Sequence, residues 1–357
     1  MKKMLSKFKA MIGVLVLSCS LFLTGCSQTT TKTETPQVAP QTKISKTLIK
    51  LNTVVTIDIY DKQDESLLDG AMELCDYYET IFSRTNPDSE LYRFNHGQLN
   101  TATDGTNHAK LSDDLARLIE EGYQYGNLSN GRFDITIAPL AELWNFTADA
   151  PKVPDDKVIQ SLLGEIDYKK ITVDGKEVTL ADESVAIDLG AIAKGYIADR
   201  IKEYLVANGV KSATINLGGN VLCIGTKPDG KPFNIGIQKP FEGRNELVGT
   251  VEIDDMTVVS SGIYERCFKE NGNFYHHILN PATGYPFDND LISVTIVTKR
   301  SVDGDGLSTS CFALGLDEGL KLVNSMEGTY ALFITSDYEF HYSDGFLEDL
   351  HFTPITQ

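Results

Sequence analysis

The sequence predicts an α+β fold, with a mixed, largely antiparallel sheet core and flanking helices. Many short β-branched runs lie between turn signals, the last of them at residues 330–335 and 340–342. Helical spacing falls towards both ends, at residues 66–82 and 317–325. No internal repeat and no membrane-spanning segment after residue 26 competes with that reading.

The chain has 357 residues, enough for a large core in one or two domains. At 41% hydrophobic and 23% charged it is an ordinary globular composition. The net charge of −18 argues against non-specific binding to nucleic acid or anionic lipid. A phosphate ligand stays compatible, because a lysine or a divalent cation supplies positive charge locally.

Residues 1–25 have the form of a lipoprotein signal peptide. Lys2, Lys3, Lys7 and Lys9 make a basic start, residues 11–23 an apolar core, and Leu23-Thr24-Gly25-Cys26 a lipobox. Cleavage before Cys26 leaves its thiol to carry lipid and ties the chain to the extracytoplasmic face of the cell membrane. A plain signal peptide or a membrane anchor is the alternative, but the apolar core is short for a span. Residues 26–46 are rich in Thr, Gln, Lys and Pro and read as a disordered tether. Residues 47–357 then make the folded domain.

Residues 48–60 alternate as a strand through Val54, Val55, Ile57 and Ile59. Residues 66–82 space Leu67, Ala71, Leu74, Tyr78 and Phe82 as a helix, and a polar loop covers residues 83–89. Ser112 is an N-cap, with Asp113 and Asp114 in the first turn of a helix ending near Gly126. Pro139 starts another helix, and Trp144 and Phe146 read as core. Residues 151–164 form a short surface helix, and Asp174-Gly175 centres a hairpin. Residues 214–222 are strand, Gly-Gly break and strand; residues 234–238, 247–253 and 257–260 add strands. Glu270-Asn271-Gly272-Asn273 is a hairpin turn, and a helix follows Thr309. Cys75, Cys223, Cys267 and Cys311 are widely spaced with no CxxC, so buried thiols are expected, with one Cys267–Cys311 bridge left open.

Two stretches carry chemistry. The first, residues 276–309, opens on His276-His277-Ile278-Leu279-Asn280-Pro281-Ala282-Thr283-Gly284, a strand end and a tight turn. It closes on Asp303-Gly304-Asp305-Gly306-Leu307-Ser308-Thr309, two carboxylates and a hydroxyl leading into a helix. Such side chains at element ends suit phosphate and metal chemistry. The second stretch is Asp188-Leu189-Gly190-Ala191-Ile192-Ala193-Lys194-Gly195, where a β-run passes through a glycine-broken loop into a helix. Asp188 either caps that helix or accepts hydrogen bonds from a ligand. Gly190 permits close backbone approach, and helix-start N–H groups suit phosphate. Lys194 opposes the helix macrodipole, which a nearby anion would explain.

Taken with Gly131-Arg132-Phe133-Asp134-Ile135-Thr136, Trp144, Asn216-Leu217-Gly218-Gly219-Asn220 and Ser261-Gly262 with Arg266, these motifs agree in order and spacing. The chain resembles the ApbE family of FAD:protein FMN transferases over about residues 47–345. The resemblance implies two intertwined subdomains. It implies Mg²⁺-dependent transfer of FMN from FAD to a Ser or Thr hydroxyl of an exported or membrane redox protein, with a phosphoester formed and AMP released. It implies a metal held by the Ala191 carbonyl, the Asp305 carboxylate and the Thr309 hydroxyl. FAD would contact Asp188, Lys194, Leu279 and the Arg132-Phe133-Asp134 segment, with Leu51 and Thr85 at matching positions in the N-terminal strand and the polar loop. Leu51-Asn52-Thr53 and Thr85 depart from the family pattern, and Thr85 removes any stacking there.

The chemistry needs phosphate charge neutralised and a hydroxyl aligned and deprotonated. Lys194 can pair with the pyrophosphate. His277 is the candidate base, with Asp305 second; the alternative for His277 is a structural histidine bonding the Asn-Pro turn. Two other functions fit the residues: a Mg²⁺-dependent FAD pyrophosphatase yielding FMN and AMP, and a non-catalytic flavin-binding lipoprotein.

Overall fold

Eight β-branched runs pair into one antiparallel sheet whose spatial order is also their order in the chain. They are β1 (Ile44–Lys50), β2 (Thr53–Ile59), β3 (Ala213–Leu217), β4 (Asn220–Ile224), β5 (Thr257–Gly262), β6 (Leu291–Thr298), β7 (Tyr330–Thr335) and β8 (Phe340–Tyr342). The other described elements are inserted between neighbouring strands of this meander, except for a short helix and strand that follow β8. The computed structural model describes residues 42–243 and 246–355. The signal peptide, Cys26 and most of the tether therefore lie outside the described residues.

The sheet is covered on both faces, and strand alternation shows it. In β7, Ala331 and Phe333 join the larger core cluster, and Leu332 and Ile334 join a second. All eight residues of β6 are buried, and its sequence shows no strict apolar-polar alternation: Leu291, Ile292, Val294, Ile296 and Val297 face both sides, with small hydroxyl residues between. The larger cluster lies under α1 (Ser66–Phe82), α2 (Asp113–Leu128), α3 (Ala193–Ala207) and α4 (Ser301–Leu314). The second lies under a three-stranded sheet of Phe233–Gln238, Leu247–Ile253 and Thr353–Pro354. A third, small cluster gathers Leu140, Trp144, Ile159, Ile166 and Leu279.

Several expectations need correction. Residues 48–60 are not one strand. Leu51 and Asn52 both take positive φ, 52° and 56°, and fold β1 back on β2; β1 begins at Ile44, inside the stretch read as tether. Cross-strand bonding along β2, not tether composition, decides that order. The Asp174-Gly175 turn is shifted by one: Asp174 pairs with Glu177, so Gly175 and Lys176 turn, with Gly175 at φ 61°. The helix expected after Thr309 begins eight residues earlier, at Ser301. The C-terminus adds a short helix, Phe346–Asp349, and the strand Thr353–Pro354. All four described cysteines are free.

Other signals hold. Ser112 Oγ accepts from Leu115 N–H, 3.3 Å, and starts α2. Pro139 sits in the first turn of the helix Ala138–Trp144. Trp144 is buried, and its Nε1–H donates to the Gly284 carbonyl, 2.8 Å. That bond holds the turn after Asn280-Pro281, where Gly284 has φ 74°.

Candidate active site

α3 and α4 meet at their N-terminal turns, and Asp305 sits at the junction. It is 4% exposed. Its Oδ2 accepts from Gly195 N–H at 2.6 Å and its Oδ1 from Asn220 Nδ2 at 3.1 Å. No ion pair reaches Asp305 among the described residues. Gly195 is the third residue of α3, so its N–H is one of the helix-start donors with no carbonyl of the helix to bond, and Asp305 caps it. The Ala191 carbonyl lies one residue before the N-cap Ile192, outside the helical ladder. Thr309 lies one turn further along α4, on the same face, with Oγ1 3.3 Å from Ser261 Oγ at the end of β5. Ser261 Oγ also lies 2.8 Å from Ser308 Oγ.

The donor set is one carboxylate, one hydroxyl and one backbone carbonyl from the loop just before α3. No group of three or more His, Cys, Asp or Glu side chains suited to a metal occurs among the described residues. A cation here would rest on hard oxygens and few of them, which suits Mg²⁺ with its retained waters and not a softer metal. A buried carboxylate without a countercharge is costly, and a cation would relieve it.

Asp188 is fastened. Its Oδ2 accepts from Arg84 Nε at 2.7 Å and its Oδ1 from Gly190 N–H at 2.8 Å. It therefore orders the loop before α3 rather than capping the helix itself, whose N-cap is Ile192. Asn95 holds the preceding residue at both ends, donating to Ile187 O and accepting from Ile187 N–H. Lys194 is half-buried in the first turn of α3.

The two adjacent histidines divide sharply. His276 is tied to the turn: its Nε2 lies 3.0 Å from the Phe287 carbonyl and its Nδ1 accepts from Ile278 N–H. The structural bonding weighed for His277 is therefore made by His276. Buried Nδ1 of His277 has no partner. Burial, then the charges of Arg266, His276 and Lys194, push His277 down to about 3, so its imidazole is neutral. Burial lowers His276 to about 4.

The segment at residues 132–134 is largely committed inward. Phe133 is 2% exposed and meets Tyr125 edge-on. Asp134 accepts from the N–H and hydroxyl of Thr136 and from Tyr168 N–H; burial raises its pKa. Asp134 also lines a cavity of about 370 Å³ with Tyr168, Lys169, Pro281 and Ala282. Arg132 is the accessible member, with NH1 donating to the Leu314 carbonyl at 2.9 Å and pairing with Glu318. Beside it is a cavity of about 460 Å³ between Asn130, Gly131, Ala282, Phe287 and Leu314. Leu279 is buried against Trp144, and it bridges Pro286 through its backbone. Leu51 packs partly into the core at the β1–β2 turn, and Thr85 is exposed, its N–H donating to Ser83 Oγ. Neither Leu51 nor Thr85 has a contact that joins it to Asp305.

Asp303, the other carboxylate of the Asp305 motif, lies inside α4 and accepts from the Tyr125 hydroxyl at 2.7 Å and the Arg300 guanidinium at 3.2 Å. Arg84, Asn95, Asp199, Asn220 and Ser261 carry site contacts that sequence reasoning left without a role. Only Asn220 and Ser261 lay in motifs it had marked.

The ApbE family model matches residues 51–334. The chain is 33% identical to the FAD:protein FMN transferase of Klebsiella pneumoniae (strain 342), over 87% of this chain and 94% of that one. It is 31% identical to the enzyme of the same name from Treponema pallidum (strain Nichols), over 85% and 88%. The apo flavinyl transferase ApbE of Pseudomonas stutzeri superposes with a TM-score of 0.74 at 28% identity, covering 86% of this chain and 96% of that one. The ApbE protein of Thermotoga maritima gives 0.76 at 28%, covering 85% and 98%.

Proposed function

The chain belongs to the ApbE family and is an enzyme that moves FMN from FAD to a protein, and from that premise we propose that the transfer is Mg²⁺-dependent and ends on a Ser or Thr hydroxyl of an exported or membrane redox protein. The carrying observation is Asp305: a buried carboxylate with no ion pair among the described residues, one helical turn from Thr309 and bonded to the N–H of Gly195 at the start of α3, just beyond Ala191. These three groups hold the metal. When bound, Mg²⁺ supplies positive charge to the FAD phosphates.

The chain's own residues do the rest. Lys194 and Arg266 bring cationic charge to the neighbourhood of His277 and favour the pyrophosphate there. The acceptor hydroxyl attacks the phosphorus of the FMN half. The P–O bond to the AMP half breaks, and AMP leaves with the bridging oxygen. The hydroxyl proton passes to His277, whose free Nδ1 is available for it. Burial is the first cause of the low value of His277; the charges of Arg266 and Lys194 that add to it are offset when the pyrophosphate binds, which raises its basicity in the loaded site.

The test is incubation with FAD, Mg²⁺ and a protein bearing a Ser/Thr flavinylation motif. Covalent flavin fluorescence on the acceptor with equimolar AMP supports the reading; FMN and AMP with no labelled acceptor overturns it in favour of hydrolysis. Asp305→Ala is expected to abolish both, and unchanged turnover would remove the metal assignment. The same proposal puts the enzyme on the membrane through lipid at Cys26. Cys26→Ala should shift it from the membrane fraction to the soluble one, and unchanged membrane association would sink the anchor.

A further inference from the structure

We propose that Asp199 and Asn220 are positioning residues for Asp305, which set the aim of its carboxylate by locking the start of α4 against the start of α3. The inference rests on the metal reading above. Each helix caps the other. Asp305, on α4, accepts from Gly195 N–H in the first turn of α3. Asp199, on α3, accepts from Ser301 N–H at 2.8 Å and Val302 N–H at 3.0 Å in the first turn of α4. Residues 195 and 199 are four apart on α3, as 301 and 305 are on α4, so both members of each pair lie on the facing side. The two carboxylates form a crossed clasp.

Asn220 completes it from β4. Its Nδ2 donates to Asp305 Oδ1 at 3.1 Å, and because a carboxylate only accepts, this contact settles the direction of the amide. Its Oδ1 then accepts from the Ser301 hydroxyl at 2.6 Å. Asn220 is 2% exposed, so water does not compete for either bond. Ser301 thus donates to Asp199 from its backbone N–H and to Asn220 from its side chain, and one residue joins both supports. Helix packing alone needs no buried acid here: burial pushes Asp199 up to about 6, so its charged form is held at a cost that two apolar side chains would avoid. What the polar arrangement adds is direction for Asp305. Groups that orient a ligating carboxylate in this way typically change metal affinity about 10- to 100-fold when removed.

Mg²⁺ is titrated calorimetrically into the full chain, with and without FAD, and into Asp305→Asn, Asp199→Asn, Asn220→Ala and Ser301→Ala. Thermal melts of each run in parallel. In Asp199→Asn one of the two capped N–H groups faces an amide NH₂, so the cap survives in part while the helix start shifts. The expected result is Mg²⁺ binding by the native chain, none by Asp305→Asn, and about 10-fold or greater weakening in Asp199→Asn and Asn220→Ala at similar melting temperature. Ser301→Ala, which deletes only a hydroxyl, should weaken binding in the same direction and covers the case in which a larger change unfolds the chain. Native affinity in all three supporting variants, with loss only in Asp305→Asn, overturns this inference and leaves the metal site standing. Absence of binding by the native chain overturns both.

Discussion

At the residue scale, His276 and His277 show how neighbours of one chemical type take different work. His276 spends both ring nitrogens on the turn, while His277 keeps a buried Nδ1 free. The folded pKa of His277, about 3, lies below the unfolded value of 6.5. On acidification the unfolded chain binds that proton first. The stability held by keeping the imidazole neutral is therefore complete above pH 6.5 and is lost as pH falls towards 3, at about 1.4 kcal/mol per pH unit. His277→Gln lacks this loss. Urea denaturation at pH 7 and pH 4.5 should show the native chain losing more stability than the variant; an equal loss contradicts the burial of a neutral imidazole. In the loaded enzyme at pH 7, His277→Gln should lower kcat about 10²- to 10⁴-fold with FAD affinity little changed.

At the element scale, the clasp between α3 and α4 depends on the closeness of their backbones. A Cβ at Gly195 would come to 2.3 Å from the Ser301 carbonyl oxygen. That atom is main chain and cannot rotate away, so Gly195→Ala must push the helices apart. The expected cost is about 1–3 kcal/mol in chemical denaturation, with Mg²⁺ affinity falling in step. A variant as stable as the native chain would mean the helices are not held by these contacts. Gly306 and Gly304 have the same origin, pressed by the Tyr125 ring and by Val259. They explain why α4 was misread. Two glycines beside two aspartates look like a loop, but the glycines admit neighbours and Asp199 caps a helix that has no N-capping side chain of its own. α2 carried its own cap at Ser112 and was legible from its start.

At the scale of the whole molecule, the meander is buried from both sides. Leu332 and Phe333 are adjacent in β7, both fully buried, and face different clusters. Leu332→Ala and Phe333→Ala should each cost about 2–5 kcal/mol in urea denaturation. A sheet covered on one face only would make one of the two nearly free. The insertions between sequential strands deliver the site: the segment between β2 and β3 brings Asp188, Lys194 and Asp199, the β3–β4 turn brings Asn220, and the stretch after β5 brings Arg266 and His277. α4, between β6 and β7, brings Asp305 and Thr309.

The sequence by itself determined the strands with strong β-branched runs, the self-capped helices and the identity of the site motifs, because each depends on residues close together in the chain. It also carried the family, since several short motifs in order are a joint signal that none gives alone. Only the tertiary structure decided which histidine is spent, that Phe133 and Asp134 turn inward, where α4 begins and that Arg84 holds Asp188. The start of α4 and the hold on Asp188 rest on partners 102 and 104 residues away, Asp199 with Ser301 and Arg84 with Asp188, and the histidines and the Phe133-Asp134 segment on burial. No local pattern encodes a hydrogen bond whose second half lies that far along the chain.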